Sequence, residues 1–138
     1  MPANVARAPR TMAALQEVPQ PDQPGRTPNA MFSLLKPKTR IPAHVGVANT
    51  RLVCHLPLIV PEGCGFRVGN ETRQWQVGKT WAFDDTIEHE AWNDSDKLRV
   101  VLIFDTWHPH LSEAERAMIT EMTRGINAFA QGSGGFDL

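Results

Sequence analysis

The feature that most constrains this chain is the rhythm of residues 31–107, where no apolar or β-branched run continues far before a Gly, Pro or Asn interrupts it. The segments left between interruptions are Met31–Leu35, Thr50–Val60, Gly65–Val68, Glu71–Gln76, Thr80–Phe83, Glu88–Trp92 and Leu98–Trp107. Each is rich in β-branched or aromatic residues and reads as a strand. Gly69-Asn70 is a two-residue hairpin signal, because glycine supplies the left-handed backbone such turns need. Many short strands at close spacing pack as a sandwich or barrel, not as a parallel α/β sheet. With 138 residues, the chain has room for one such core and no second full domain.

The two ends differ from this middle. Residues 1–30 carry prolines at 2, 9, 19, 21, 24 and 28, a composition that reads as an arm with one or two helical turns at Thr11–Val18. Beyond the core at 31–111, Ser112-Glu113-Ala114-Glu115 places a hydroxyl three residues before a carboxylate, the reciprocal cap that opens a helix. Met118, Ile119, Met122, Ile126 and Phe129 then form an apolar stripe over 112–130, predicted to pack on the outside of the sheet. Residues 131–138 form a Gly-rich tail.

Charge and composition exclude several functions. Lys+Arg 14 against Asp+Glu 15 leaves a formal charge of −1 with no basic stripe for a phosphate backbone, so nucleic acid is not an expected partner. No apolar run reaches membrane-spanning length and the opening lacks a secretory apolar core, so the expectation is no membrane partner and a cytoplasmic protein. Cys54 and Cys64 form neither a disulfide framework nor a zinc knuckle and read as small buried hydrophobes. Tyrosine is absent, which leaves histidine as the reactive type to follow.

A histidine in a strand is ordinarily a hydrogen-bonded structural residue, and the 45 positions between His44 and His89 do not by themselves mark them as a pair. Their surroundings are more informative. His44 follows Pro42-Ala43 in a segment read as irregular, just before a strand, where a side chain can face a cavity mouth. In Asp84-Asp85-Thr86-Ile87-Glu88-His89-Glu90, alternation puts Ile87, His89 and Ala91 on one face. His89 is then the one polar group on an apolar face and must find a partner, a metal being one option. Arg99 opens the apolar strand Val100–Phe104 and needs an anion: either an ion pair with Asp94, Asp96 or Asp105, or a ligand carboxylate gripped by its planar fork.

The runs His44-Val45-Gly46-Val47-Ala48-Asn49-Thr50-Arg51, His55-Leu56, Val60-Pro61-Glu62-Gly63-Cys64, Phe83-Asp84-Asp85-Thr86-Ile87-Glu88-His89-Glu90-Ala91-Trp92 and Phe104-Asp105-Thr106-Trp107-His108-Pro109 together resemble the aspartyl/asparaginyl β-hydroxylase family, in order over roughly residues 31–111. The resemblance implies an all-β, double-stranded β-helix (jelly-roll, cupin-like) fold and an Fe(II)- and 2-oxoglutarate-dependent dioxygenase that uses O2. It also implies that His44 and His89 bind the iron and carry the catalysis. Gly46 stands where related oxygenases have the carboxylate of an H-x-D triad, so water would fill that site. Ser33 and Arg99 resemble the pair that holds the distal carboxylate of 2-oxoglutarate, and His55 the residue beside its metal-proximal carboxylate.

Two departures accompany the match. Val53 stands where a family arginine grips the proximal carboxylate, and Arg51 could substitute only by bending back along the strand. Lys38 replaces a turn glycine. The expected substrate is a small-molecule or peptidyl amino-acid-like C–H. Trp81, Trp92 and Trp107 are candidate pocket walls. The competing readings are a non-catalytic carboxylate-binding jelly roll and a cupin-like isomerase or lyase that uses the metal without 2-oxoglutarate, and cosubstrate dependence separates them.

Overall fold

The computed structural model describes residues 2–21 and 30–132; the expectations for 22–29 and for the tail at 133–138 lie outside them. Eight strands are formed: β1 (Ala30–Leu35), β2 (Thr39–His44), β3 (Arg51–Ile59), β4 (Cys64–Val68), β5 (Glu71–Arg73), β6 (Trp81–Phe83), β7 (His89–Asn93) and β8 (Arg99–Trp107). They build two four-stranded antiparallel sheets in the orders β1-β8-β3-β6 and β2-β7-β4-β5. Successive strands therefore cross repeatedly from one sheet to the other, which is the jelly-roll connection. The sheets do not join into a closed barrel.

Both inner faces supply the core, as alternation requires. Leu35, Cys64, Phe66, Trp75, Ala91 and Val101 are buried together, with Ile41, Trp81, Phe83 and Ile103 packed against them. The cysteines are buried and unpaired, as their composition suggested. Asn93, fully buried, ties the strand ends. Its amide donates to the carbonyls of Leu35, Lys36 and Lys97 at 3.0, 3.1 and 2.8 Å, and its oxygen accepts from Ser95 and from the Cys64 thiol. That single side chain joins the end of β1 to the turn entering β8 and satisfies carbonyls that would otherwise be buried without partners.

The structure corrects the sequence-based strand expectations in three places. The β2 strand was not expected, because Pro42 lacks an amide. It tolerates proline because it is the outer strand of its sheet, where one side of the backbone has no ladder to satisfy. The β5 strand ends at Arg73, so Trp75 lies in the connection to β6 and not in a strand. Ile87 sits in a bend, 48% exposed, and does not share the inner face of His89 and Ala91. At Lys38 the backbone takes a left-handed φ of 55°, and its ammonium donates to the Asp94 carbonyl at 2.6 Å and pairs with Asp96 at 3.2 Å. A glycine conformation is thus kept there by a residue anchored at its far end. The Gly69-Asn70 turn joins β4 to β5, with Gly69 at φ 55°.

Contacts divide the chain into Pro28–His108, which holds all eight strands, and Met1–Thr27 with Pro109–Leu138, which holds the helices. The N-terminal segment is more regular than its prolines suggested: α1 (Pro2–Arg7) and α2 (Pro9–Gln16) each begin on proline, whose missing amide costs nothing at a helix start. The C-terminal helix α3 (Glu113–Gly132) opens on the expected cap. The Ser112 amide and hydroxyl donate to Glu115 Oε2, both at 2.7 Å, and the Glu115 amide returns a bond to Ser112 Oγ at 3.4 Å. Of the apolar stripe, Met118 and Phe129 are 69% and 68% exposed. Thr123 is the buried residue instead, its hydroxyl donating to the Ile119 carbonyl so that a polar side chain is accommodated there.

Candidate functional site

The 45 residues separating His44 from His89 vanish in the fold: the two are direct cross-strand partners of β2 and β7, their ring centroids 4.2 Å apart. A bulge makes this possible. Ile41 pairs with Ala91 and faces inward, so strict alternation would send His44, three residues later, outward. The irregularity between Ile41 and His44 inserts the extra residue that restores the phase. His44 is thus the last residue of a strand, not part of an irregular lead-in.

Both rings are held the same way. The Nδ1 of His44 lies 2.8 Å from the Pro42 carbonyl and that of His89 2.8 Å from the Ile87 carbonyl. A carbonyl can only accept, so Nδ1 carries the proton in each ring and Nε2 keeps its lone pair. Two oriented imidazoles with bare Nε2 atoms are the donor set that a divalent transition metal takes from histidine, with the carbonyls serving as the outer partners that fix the tautomer. Among the described residues, no cluster of three or more His, Cys, Asp or Glu has metal-binding geometry.

Beside this pair lies a carboxyl group that sequence reasoning did not single out. The Gly46 amide donates to the Asp85 carbonyl at 2.6 Å, and a Cβ at Gly46 would overlap the Asp85 side chain. The space a side chain at position 46 would enter is thus filled from the opposite loop. Asp85 Oδ2 accepts from Arg51 Nη2 at 2.8 Å, and Arg51 Nη1 reaches Asp105 at 3.1 Å. Asp85 Oδ1 is buried with no hydrogen-bond partner, which is costly unless something supplies a donor. Arg51, expected as a substitute grip on the cosubstrate, is instead held between two carboxylates. Gly46→Ala is expected to destabilise the fold by about 1–3 kcal/mol through this overlap, read as a lower melting temperature. Removing the obstructing carboxyl in Gly46→Ala/Asp85→Ala should restore part of the loss, and an unchanged melting temperature in the single variant would refute the packing.

On the facing sheet, at the start of β8, Arg99 is 2% exposed. Its Nη1 donates to Ser33 Oγ at 3.0 Å and to the Ser33 carbonyl at 3.1 Å, while its Nε is buried without a partner. The ion pair expected as one alternative is absent. Asp96 pairs with Lys38, Asp105 with Arg51, and no carboxylate among the described residues pairs with Arg99. Its guanidinium lies over the Trp75 ring at 4.8 Å, and burial lowers its pKa. A desolvated cation with an idle donor and no counter-ion among the described residues is one that an anion would satisfy.

Burial, then the charge of Arg99, push the pKa of His55 down to about 3, so the ring is neutral. Its Nδ1 accepts from the Trp75 indole at 3.2 Å. Val53, where the resemblance has an arginine, is a buried apolar residue. Of the tryptophans named as walls, Trp81 does join the inner aromatic cluster around His55 and Phe66, whereas Trp92 lies under Arg40 at 5.2 Å. Trp75 was missed because Glu71–Gln76 reads as a strand, whereas the ring folds inward from the connection after β5. A cavity of about 390 Å³ opens alongside, lined by Phe66, Val68, Arg73, Trp81, Phe83 and Ile87 among others. The Phe66 and Phe83 rings stand 5.9 and 5.0 Å from that of His89.

A jelly roll that carries an imidazole pair, His89 buried and His44 exposed beside it, and a solitary buried guanidinium on the facing sheet defines a cupin-like protein with a two-histidine cluster. Residues 1–109 match the family model for aspartyl/asparaginyl β-hydroxylase, and the chain belongs to that family. The match extends through the N-terminal segment, which the motif-based resemblance had left out. The human aspartyl/asparaginyl β-hydroxylase is 40% identical over 110 residues, covering 79% of this chain and 14% of that protein. The ornithine lipid ester-linked acyl 2-hydroxylase of Rhizobium tropici is 46% identical over 114 residues, covering 80% of this chain and 38% of that protein. The chain therefore spans well under half the length of these relatives. Among solved structures, the cupin domain of a transcriptional regulator from Enterobacter cloacae aligns at a TM-score of 0.48 and 10% identity, over 57% of this chain and 80% of that one. Among the described residues no helix is long and apolar enough to cross a membrane.

Proposed function

We propose that this chain is an Fe(II)- and 2-oxoglutarate-dependent dioxygenase that hydroxylates an unactivated C–H bond. The observation that carries the reading is Arg99, a buried guanidinium with an idle Nε and no carboxylate partner among the described residues, on the sheet facing the one that carries a pair of imidazoles with free Nε2 atoms. Family membership supports hydroxylase chemistry in general. His44 and His89 would hold the iron, and the donor set suits it: imidazole nitrogen with an oxygen donor is the usual environment of non-haem Fe(II). When bound, iron and the keto acid together supply the oxidising power to activate O2 toward the C–H bond.

The chain's own residues have the remaining tasks. Arg99 and Ser33 would receive the distal carboxylate, replacing the missing counter-ion. His55, neutral beside the Arg99 charge, would lie along the cosubstrate near its proximal carboxylate. Asp85 stands where an H-x-D carboxylate would project from position 46, and its unpartnered oxygen is the acceptor available to a water there, with Arg51 balancing its charge. The aromatic cavity next to His89 would hold the substrate and exclude solvent. The names of the relatives include a peptide-residue hydroxylase and a lipid-acyl hydroxylase, so the substrate class widens from an amino-acid-like or peptidyl carbon to include an acyl chain.

One observation favours a second reading. With Val53 apolar and Arg51 held by Asp85 and Asp105, no guanidinium meets the proximal carboxylate, as in a binding module that has lost turnover. Anaerobic addition of Fe(II) and 2-oxoglutarate, followed by visible absorption, separates the alternatives. The metal-to-ligand charge-transfer band of a chelated keto acid is the expected result. Bound iron without the band would point to metal chemistry independent of 2-oxoglutarate, and no bound iron to the binding module.

A further inference from the structure

We propose that Trp75 is the positioning residue of the cosubstrate end: its indole N–H holds His55 in the Nε2–H form while its ring face covers the Arg99 guanidinium. The proposal rests on the 2-oxoglutarate reading for its purpose, but not for its first test. Trp75 is 4% exposed in the connection between β5 and β6, and three contacts define it. Nε1 donates to His55 Nδ1 at 3.2 Å. The Arg99 Cζ lies 4.8 Å from its ring centroid. The Phe66 ring packs against it at 5.4 Å.

The first contact has a consequence for proton placement. An indole nitrogen can only donate, so His55 Nδ1 must be the bare, accepting nitrogen, and in a neutral imidazole the proton then resides on Nε2. This is the reverse of His44 and His89, whose Nδ1 atoms face carbonyls and whose Nε2 atoms are bare. The jelly roll thus carries two imidazoles presented as lone-pair donors to a cation, His89 buried and His44 exposed, and one buried imidazole presented as a proton donor to an anion. The distinction comes entirely from what faces Nδ1, a carbonyl in two cases and an indole in the third. A neutral N–H donor is also what the position demands, since an imidazolium there would face Arg99 across a desolvated interior.

The second contact acts on the other carboxylate. A guanidinium lying on an indole face is restricted to the plane of that face, so its edge, with the idle Nε and the remaining Nη donors, is presented in one orientation. The order that the ring imposes on Arg99 would otherwise have to be imposed when the cosubstrate binds, at the expense of affinity.

Nitrogen-15 NMR of histidine-labelled protein, with no metal or cosubstrate added, reads the His55 tautomer directly. The expected result is Nε2–H in the wild type and a shift toward Nδ1–H in Trp75→Phe, which keeps an aromatic face but lacks the donor. A wild-type His55 protonated on Nδ1 would overturn the proposal before any variant is made, and a tautomer unchanged in Trp75→Phe would overturn it as well. In calorimetric titration of 2-oxoglutarate into the Mn(II)-loaded protein, Trp75→Phe should bind roughly tenfold more weakly, the scale of one lost hydrogen bond, and Trp75→Leu more weakly again. Retained Mn(II) affinity in both would separate this from general damage to the fold, and wild-type 2-oxoglutarate affinity in both would refute the role at the cosubstrate end. A wild type that binds no 2-oxoglutarate would sink the functional reading instead, and the tautomer measurement would still decide the role of Trp75.

Discussion

Replacing His89 with alanine is expected to abolish retention of Fe(II), weakening it by at least about 100-fold, while leaving the fold close to intact. With only two protein ligands in the proposed site, losing one removes half of the donor set, whereas changes to outer partners alone already cost tenfold to 100-fold. The structural cost is small by comparison. His89 makes one hydrogen bond, to the carbonyl of Ile87 two residues earlier, worth about 1 kcal/mol, and the strand around it is paired on both sides, to β2 and to β4. Iron content after gel filtration and the circular-dichroism melting curve read the two quantities separately. Iron retained at the wild-type level would remove His89 from the metal site, and a chain that no longer folds would assign it to structure. His44→Ala should behave alike, since its ring is held by the same Nδ1-to-carbonyl arrangement.

Arg99→Ala should leave iron retention unchanged and weaken 2-oxoglutarate binding by about 100-fold or more, within the 2–5 kcal/mol that truncating one partner of a buried charge pair removes. Arg99 is the group at that end with donors idle, and Ser33 alone offers only a neutral hydroxyl. Arg99→Lys is the informative companion. It keeps the charge but loses the planar fork and the broad stacking on Trp75, so an intermediate affinity is expected. Calorimetric titration of the Mn(II)-loaded protein measures both, and unchanged affinity in Arg99→Ala would refute its assignment to the distal carboxylate. Together the two substitutions divide the site: one variant loses the metal, and the other keeps the metal and loses the keto acid.

Local signals in the chain were reliable where a single contact decides the structure. The Ser112–Glu115 cap formed as its spacing required, Gly69-Asn70 turned between two strands, and the continuously apolar β8 became an interior strand of its sheet. The jelly roll itself was legible through the family motifs. Other readings failed where a distant element set the outcome. Ile87 shared the parity of His89 and Ala91, yet the strand begins only at His89, so parity before it carried no meaning.

The site divides along the same line. The residue types were determined by the sequence alone: two histidines in family motifs, a serine, an arginine at the rim of an apolar strand, and a glycine where a carboxylate is usual. Their relations were decided by tertiary structure. One inserted residue in β2 brings His44 opposite His89, the Asp85 loop fills the space left by Gly46, and Trp75 folds in from a connection to set the proton on His55. Each depends on which strand lies opposite and on what occupies the space a side chain would enter. Those quantities are fixed by packing across the two sheets, between residues 20 to 50 positions apart, and alternation within one strand carries no information about them.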